Sequence, residues 1–483
     1  MLMKKLIYSL VILAINQQVF ADGTESAPAA VVNTNDTYIS RYAYIQNPWI
    51  SSTSAGGTQN VSESQMATQN VAEKWFADGT WNFWGTASAQ YVGAGAGFPN
   101  YAYGGSFFAQ TGQVAGFSFG GAMAIINPYF DTNMNGYNTN ASPFLPSNKQ
   151  VNPTEAFVEY QYNNVVQVDL GLIGINNSPW LSQNYYSNMM SVPASYQGAL
   201  VNVDAGGGWL LTALAFNAAQ GISETGFTGL TWYNKGYDYA GGAIANNTTT
   251  GTSGGTAAVG ANYVAWNNQY NLRIWGYEFE NYGELFYLDN SIKFKPTANL
   301  AFNIAAQGGT NNSNGSLGNA NGTNAITDAG YGQISSNFAG IQGGLSYKWF
   351  SLNLGYNNVW GNQTGYGSGA IVSPYTYGMA TDPLYTTPYM AGLVDMGTAG
   401  SAYKINPSFN FLDSNLSIAP AFTTFQTALP QWNGTNEYDL VVSYSIPQIK
   451  GLNLFGAYAY QQVPLANPSG NNYVTQLFVS YLY

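Results

Sequence analysis

The 483-residue sequence contains neither cysteine nor histidine. Without cysteine the chain can form no disulfide framework and no thiolate metal site. Without histidine it lacks the usual zinc ligands and the general base of a Ser-His-Asp triad. The glycine-rich run GAGAGF (93–98) has no βαβ pattern around it and no following GK[ST], so it predicts no nucleotide site. We therefore predict no metal site, no cofactor and no catalytic residue, and expect that the protein is not an enzyme.

Charged residues are also scarce. They make up 7% of the chain, against about 25% in ordinary soluble proteins. A soluble surface needs charge, whereas a water-filled tube in lipid needs an apolar outer face. The formal net charge is −11, and an acidic chain without a basic patch argues against a nucleic-acid partner.

The N-terminus has the features of a secretory signal peptide (1–21). Lys4 and Lys5 precede a short apolar run at 6–14, and Ala21 is the predicted cleavage point. The apolar run is too short to span a bilayer, and no other stretch approaches 18 apolar residues. The sequence therefore predicts an exported protein without a spanning helix.

Apolar and polar residues alternate with a period of two in many segments. In NLAFNIAAQ (299–307), Leu300, Phe302 and Ile304 alternate with Asn299 and Asn303. The same pattern occurs in FSLNLGYN (350–357), EYDLVVSY (437–444) and LNLFGAYAYQ (452–461). This pattern is typical of outer-membrane barrel strands, although a soluble β-sandwich also alternates. The signal peptide, the low charge and the connection lengths favour the barrel.

The pattern predicts an all-β fold, a transmembrane antiparallel β-barrel of 18 strands, with 16 as the alternative count. The predicted strands are 79–93, 103–111, 114–125, 153–162, 166–173, 195–204, 209–217, 258–266, 270–279, 284–294, 299–307, 338–347, 349–358, 401–411, 415–425, 436–445, 451–461 and 472–483. Short periplasmic turns alternate with long extracellular loops, as in known barrels. The segment 226–233 is left in a loop, because a further strand would make the count odd.

Three domain ranges follow: the signal peptide (1–21), an N-terminal periplasmic or lumenal segment (22–78) and the barrel (79–483). The segment 22–78 could form a plug, an extra strand or a periplasmic helix, and the sequence does not decide between them. The exported barrel is expected in the bacterial outer membrane after cleavage near Ala21.

From about residue 79 onward the chain resembles the OprD-type family of Gram-negative outer-membrane porins. The resemblance lies in VDLGLIGINNSPWLSQNYYSNMMSVPASYQGALVNVDAGGGWLLTALAF, YNLRIWGYEFENYGELFYLDNSIKF (a hairpin with a short outer loop) and MATDPLYTTPYMAGLVDMGTAGSAYKINPSFNF. It implies an 18-stranded monomeric channel with loops folded into the lumen. Family members that take up carboxylates or basic amino acids have a track of arginines. After the signal peptide this chain has only Arg41 and Arg273, so it cannot form such a track.

Acidic residues fall on the polar, inward faces of two predicted neighbouring strands. Glu155 and Glu159 share one face, and Asp169 lies on the next strand. If NNV is a three-residue turn, Glu159 and Asp169 are cross-strand neighbours. Opposed like charges are unfavourable unless water or a cation intervenes. Both solvated lumen charges and a cation-favouring patch fit this arrangement.

Two further pairs of charges are predicted to line the pore. Asp289 and Lys293 share an inward face, as do Glu437 and Asp439. Scattered solubilising residues of an aqueous lumen would give the same pattern.

Two long loops carry aromatic and methionine side chains. The third long loop, GINNSPWLSQNYYSNMMSVPA, has no charged residue, so folding it inward would give a neutral, partly apolar constriction. The predicted constriction residues are Trp180, Tyr185, Tyr186 and Met189 in this loop, and Tyr385 and Tyr389 in the loop 359–400. Packing of loop against loop on the outer surface is the alternative.

The chain ends in the alternating segment NNYVTQLFVSYLY. Its odd positions from Tyr473 to Tyr483 are predicted to face lipid, with Tyr481 and Tyr483 at the periplasmic interface. A terminal aromatic after alternate apolar residues also resembles the signal recognised by the barrel-assembly machinery. Tyr481 and Tyr483 are therefore the predicted assembly signal.

These observations predict a porin for passive diffusion of small neutral or cationic solutes. The expected partners are small-molecule solutes, outer-membrane lipid and lipopolysaccharide, and the assembly machinery. Two alternatives stay open: a ligand-specific receptor, for example for an iron-chelate, and a surface adhesin or structural outer-membrane protein.

Overall fold

A computed structural model describes most of the predicted barrel. The described residues are 79–93, 100–128, 149–163, 165–175, 177–182, 194–221, 226–229, 231, 254–266, 268–314, 333–376, 383–464 and 472–482. The predicted signal peptide, the segment 22–78 and several named residues lie outside these ranges, namely Arg41, Tyr185, Tyr186, Met189 and Tyr483.

The described residues form 18 strands. In chain order they are β1 (Thr80–Gly93), β2 (Asn100–Gln110), β3 (Phe117–Pro128), β4 (Gln150–Tyr162), β5 (Val166–Ile173), β6 (Ser195–Gly206), β7 (Trp209–Gln220), β8 (Thr256–Ala265), β9 (Tyr270–Phe279), β10 (Gly283–Thr297), β11 (Leu300–Ser313), β12 (Ser335–Tyr347), β13 (Phe350–Gly361), β14 (Gly400–Phe411), β15 (Leu416–Thr427), β16 (Asn436–Ser445), β17 (Leu452–Gln462) and β18 (Asn472–Leu482). The described residues also include two short 3-10 helices, Tyr366–Ser368 and Pro430–Trp432. No helix among the described residues is long and apolar enough to cross a membrane.

The sheet closes on itself. Each strand pairs antiparallel with its neighbours in the chain, and β1 also pairs with β18. In that closing pair, Gly85 lies opposite Tyr481 and Gly93 lies opposite Tyr473. Closure leaves no free edge among the described strands, which removes a site of unwanted strand addition. The predicted fold class and the count of 18 are confirmed.

Connection lengths differ between the two ends of the barrel. At one end the turns are short, for example 163–165, 207–208 and 348–349. At the other end most connections are long, and β9–β10 (280–282) is a short exception. The described part of 226–233 makes only an isolated bridge, Ala219 to Thr228, as expected of a loop.

The barrel wall has two chemically different faces. On β18, Leu477 and Val479 are exposed, whereas Gln476 and Phe478, which alternate with them, are buried. Exposed apolar side chains on the outside of a closed barrel suit a lipid environment. Because the buried side chains point inward, the core of the molecule is the partly filled lumen.

The inward face is not polar throughout. On β9 the buried side chains Trp275, Tyr277 and Phe279 stack in sequence, with neighbouring ring centroids 5.7 Å apart. The alternating pattern predicts inward polar residues, but this wall is aromatic because two long loops pack against it.

Candidate functional site

The described parts of the β13–β14 loop (362–376 and 383–399) contact well-separated parts of the lumen wall. The loop residue Tyr375 packs against aromatic side chains of β6, β7 and β9, which lie four to eight strands away from β13 and β14 around the ring. The ring centroid of Tyr375 lies 6.2 Å from Tyr196, 5.1 Å from Phe216 and 6.2 Å from Phe279. These contacts attach the loop to a part of the wall distant from the strands that it connects.

The β5–β6 loop (174–194) also enters the barrel. Trp180 is fully buried and meets Tyr287 and Phe338 edge to face, at centroid distances of 6.2 and 5.9 Å. The hydroxyls of Ser178 and Tyr277 share a hydrogen bond of 2.9 Å. Since β10 and β12 carry Tyr287 and Phe338, the described part of this loop lies inside the barrel, not on its outer surface.

The segment around Tyr385 lies close to the wall at β11 and β13. With its amide oriented to suit its neighbours, Gln307 donates to Pro383 O at 3.0 Å and accepts from Tyr385 N at 2.9 Å. Gly355 of β13 allows this approach, because a Cβ there would lie 3.0 Å from Tyr385 O. On Asn357, Oδ1 accepts from Thr386 N at 3.1 Å. The loop backbone is therefore held by side-chain amides of the wall.

Further along the loop, the predicted pore residues Glu437 and Asp439 accept backbone hydrogen bonds. Met390 N donates to Glu437 Oε1 at 2.5 Å, and Tyr389 N donates to Asp439 Oδ2 at 3.3 Å. Gln461 Nε2 donates to Glu437 Oε2 at 2.9 Å. Glu437 is completely buried. The two carboxylates thus attach the loop to β16.

Two more contacts strengthen this attachment. Tyr389 Oη donates a hydrogen bond to Gln476 of β18. Burial and the charge of Asp439 raise the pKa of Tyr389 well above its ordinary value, so its hydroxyl stays protonated and can donate. Lys404 Nζ donates to Thr387 O at 2.6 Å. Sequence reasoning missed Lys404, which is a single inward charge on β14.

Glu159 and Asp169 are cross-strand neighbours, as the NNV turn predicts. Gln167 Nε2 lies between their carboxylates and donates to Glu159 Oε2 and to Asp169 Oδ2, each at 2.9 Å. Gln110 Nε2 and Ser118 Oγ donate to Glu159 Oε1 at 3.2 and 3.3 Å. Both carboxylates are fully buried. Amide and hydroxyl donors of the wall therefore stabilise the two neighbouring carboxylates. The sequence alone suggests water or a cation in this role.

Glu155 lies on the same inward face and is also buried. It follows a register shift between β3 and β4, where Glu155 pairs with Ala122 and Pro153 pairs with Met123. The irregular pairing places Glu155 in the lumen wall, nearer than Glu159 to the end of the barrel with the long loops.

Asp289 forms its ion pair with Arg273 of the neighbouring strand, a contact that the alternating pattern along β10 alone does not predict. Arg273 Nε donates to Asp289 Oδ1 and Oδ2 at 2.9 and 3.1 Å, and Nη2 also donates to Oδ2. Tyr287 Oη donates to Asp289 Oδ2 at 2.8 Å. Lys293 is exposed and lies opposite Asn303 near the short-turn end. Lys293 lies four positions along the strand from Asp289, about 13 Å, whereas Arg273 is directly opposite Asp289 on β9.

All buried charged side chains among the described residues are acidic: Glu155, Glu159, Asp169, Glu278, Asp289, Glu437 and Asp439. Glu278 alternates with inward Tyr277 and Phe279 and therefore lies on the outer face, whereas the other six line the interior. No three acidic side chains in the described ranges are arranged to hold a metal ion. The site consists of amides, hydroxyls, aromatic rings and carboxylates, together with the cations Arg273 and Lys404, a set suited to hydrogen bonding and electrostatic selection of solutes.

A closed barrel of 18 antiparallel strands, with an apolar outer face and loops inside its lumen, has the architecture of an outer-membrane channel. No protein-family model matches the sequence, and no curated protein matches it. Solved structures do match. The Pseudomonas aeruginosa outer membrane protein OpdK aligns with a TM-score of 0.65 and 13% identity, over 85% of this chain and 99% of that one.

Two further solved structures from the same organism give similar values. OprE aligns with a TM-score of 0.66 and 13% identity, over 85% of this chain and 99% of that one. OpdF aligns with a TM-score of 0.64 and 13% identity, over 84% and 98%. OpdK has been solved with vanillate and OpdF with glucuronate. At this identity the similarity establishes the fold, and it confirms the OprD-type architecture expected from the sequence.

Proposed function

We propose that the protein is a passive channel of the bacterial outer membrane for small neutral or cationic solutes. The principal support is that the buried Asp, Glu, Lys and Arg side chains of the described lumen wall are all acidic. Carboxylates in a narrow, low-dielectric passage lower the energy of a cation and raise that of an anion. Side-chain amides such as Gln167 and Gln307 add neutral hydrogen-bonding groups for uncharged polar solutes.

The position of the arginines supports the same proposal. Arg273 is the one arginine within the described ranges, and Asp289 neutralises it. An anion entering this part of the lumen meets no guanidinium whose charge is uncompensated. OpdK and OpdF have been crystallised with the acids vanillate and glucuronate, and we propose a different solute class for this chain.

Reversal potentials in planar bilayers would test the proposal. We expect a cation preference under a KCl gradient, and a smaller preference in the double variant Glu159→Gln/Asp169→Asn, which keeps side-chain shape. Asp413→Asn removes one charge from the exposed β14–β15 turn and serves as the control. Anion selectivity that the double variant leaves unchanged would contradict the proposal.

Liposome swelling would test solute uptake itself. We expect faster swelling with glucose and with lysine than with gluconate of similar size. Equal swelling rates for all three solutes would contradict the proposed selectivity, and no swelling with any of them would contradict the channel function.

The other two candidate functions receive less support. A receptor needs aromatic groups open to its ligand, but Trp180 and Tyr375 are packed against the wall and buried. The adhesin alternative depends largely on loop residues outside the described ranges. We further propose that the apolar outer face contacts lipid and lipopolysaccharide, and that β18 is recognised by the barrel-assembly machinery.

A further inference from the structure

We propose that Asp289 is a specificity-determining residue of the lumen, because it cancels the charge of Arg273 and so prevents anions from binding at that guanidinium. The inference rests on the proposed channel function and assigns the selectivity to one ion pair. It predicts that removal of a single carboxylate converts a neutral wall site into an anion site.

The two partners differ in their exposure. The Arg273 side chain is 41% exposed, whereas the Asp289 side chain is 10% exposed. Asp289 occupies Nε and Nη2 of the guanidinium, so the Nη1 side faces away from the carboxylate. A solute can therefore reach the guanidinium, while the carboxylate stays behind it and is held by Tyr287.

The pair also lies beside the loop that narrows the lumen. Tyr385 of the β13–β14 loop interacts electrostatically with both Asp289 and Arg273. Tyr287 connects Asp289 to Gln307, and Gln307 accepts from the backbone of Tyr385. A solute passing this part of the loop therefore passes the ion pair.

A guanidinium without a counter-charge is a strong site for carboxylates, since it offers paired donors and a permanent positive charge. When a carboxylate already occupies one edge, the pair presents no net charge to a second anion. The Asp289→Asn substitution keeps an oxygen acceptor for Arg273 and Tyr287 but removes the negative charge. The Arg273→Gln substitution has the opposite effect, because it leaves Asp289 without its cation.

The test compares Asp289→Asn, Arg273→Gln and the double variant by reversal potential in planar bilayers. We expect Asp289→Asn to lower the cation-to-anion permeability ratio about fivefold, the factor for a unit charge about 4 Å from an ion in water. Arg273→Gln should raise the ratio by a similar factor. The double variant should return to within about twofold of the unmodified protein, since the two removed charges sum to zero.

Several outcomes would overturn the assignment. The assignment fails if the cation-to-anion permeability ratio is unchanged in Asp289→Asn, or if Arg273→Gln does not raise it. It also fails if the double variant shifts the ratio as far as Asp289→Asn alone. Heat-modified gel mobility verifies that each variant is folded. If Asp289→Asn does not fold, Arg273→Gln and the double variant still decide the question.

A second measurement does not depend on conductance. Saturation-transfer NMR with benzoate on the detergent-solubilised barrel should detect binding to Asp289→Asn, and several-fold less to the unmodified protein and the double variant. Benzoate binding by Asp289→Asn in a protein that conducts no ions would support the ion-pair assignment and refute the channel. A conducting protein whose Asp289→Asn variant neither binds benzoate nor shifts its reversal potential would refute the assignment and leave the channel intact.

Discussion

The backbone N–H of Met390 donates a 2.5 Å hydrogen bond to the buried carboxylate of Glu437. One partner belongs to a loop of 38 residues (362–399) and the other to the barrel wall. A long loop loses much conformational entropy when it is fixed, so each buried attachment has a measurable effect on its position.

Glu437→Ala should therefore loosen the β13–β14 loop. It removes the acceptor for Met390 N and the partner of Gln461 Nε2, and a buried donor left without its acceptor costs about 1–3 kcal/mol. We expect a larger and noisier single-channel conductance. Ser443→Ala, on the same face of β16, is the control. A Glu437→Ala channel with the conductance of the unmodified protein would show that this contact does not hold the loop.

Gly355→Val should displace the segment around Tyr385. A Cβ at this position would lie 3.0 Å from Tyr385 O, and further methyl groups would come closer. Gly343→Val is a matched control, because a Cβ at Gly343 meets nothing within 4 Å. We expect Gly355→Val to change the single-channel conductance and Gly343→Val to leave it the same. Equal conductance in the two variants would contradict the contact.

Trp180→Ala should destabilise the folded barrel and release the β5–β6 loop. Truncation of a packed tryptophan costs about 3–5 kcal/mol, and here it removes the edge-to-face contacts with Tyr287 and Phe338. The unfolding temperature of the heat-modifiable band on gels measures this loss. Trp360→Ala removes an outward, half-exposed tryptophan and should lower that temperature less. The opposite order would show that Trp180 is not part of the core.

Deletion of Tyr483 should impair assembly more than conductance. The preceding residues of β18 pair with β1, and Tyr481 lies opposite Gly85, so the terminal strand closes the barrel. We expect less folded protein in the outer membrane but normal conductance in the molecules that assemble. Quantitative blotting of outer-membrane fractions, with bilayer recordings of purified protein, checks both parts. Normal outer-membrane levels after the deletion would contradict an assembly role.

Most of the barrel could be predicted from local pattern. The predicted strands 166–173, 270–279 and 436–445 coincide with Val166–Ile173, Tyr270–Phe279 and Asn436–Ser445. Alternation with a period of two defines such strands, and turn residues define their ends. The Glu159–Asp169 pairing followed from the length of one turn.

Non-local contacts could not be predicted in the same way. The β9–β10 hairpin was predicted, and its short turn fixes a register that places Arg273 opposite Asp289. Counting residues across that turn predicts the pair, whereas the pattern along β10 alone predicts only that Asp289 and Lys293 share a face. The contacts of Trp180 and Tyr375 join distant parts of the chain through loops, and no periodic pattern in the sequence predicts such contacts.

The β13–β14 loop has a mechanical consequence. Tyr375 packs among the aromatic side chains of β6, β7 and β9, and the backbone N–H of Met390 donates a hydrogen bond to Glu437 on β16. The loop thus connects two facing parts of the barrel wall. Flattening of the barrel would break either the packing of Tyr375 or the hydrogen bond of Met390. The same segment that narrows the passage therefore also resists deformation of the barrel under lateral pressure from the bilayer.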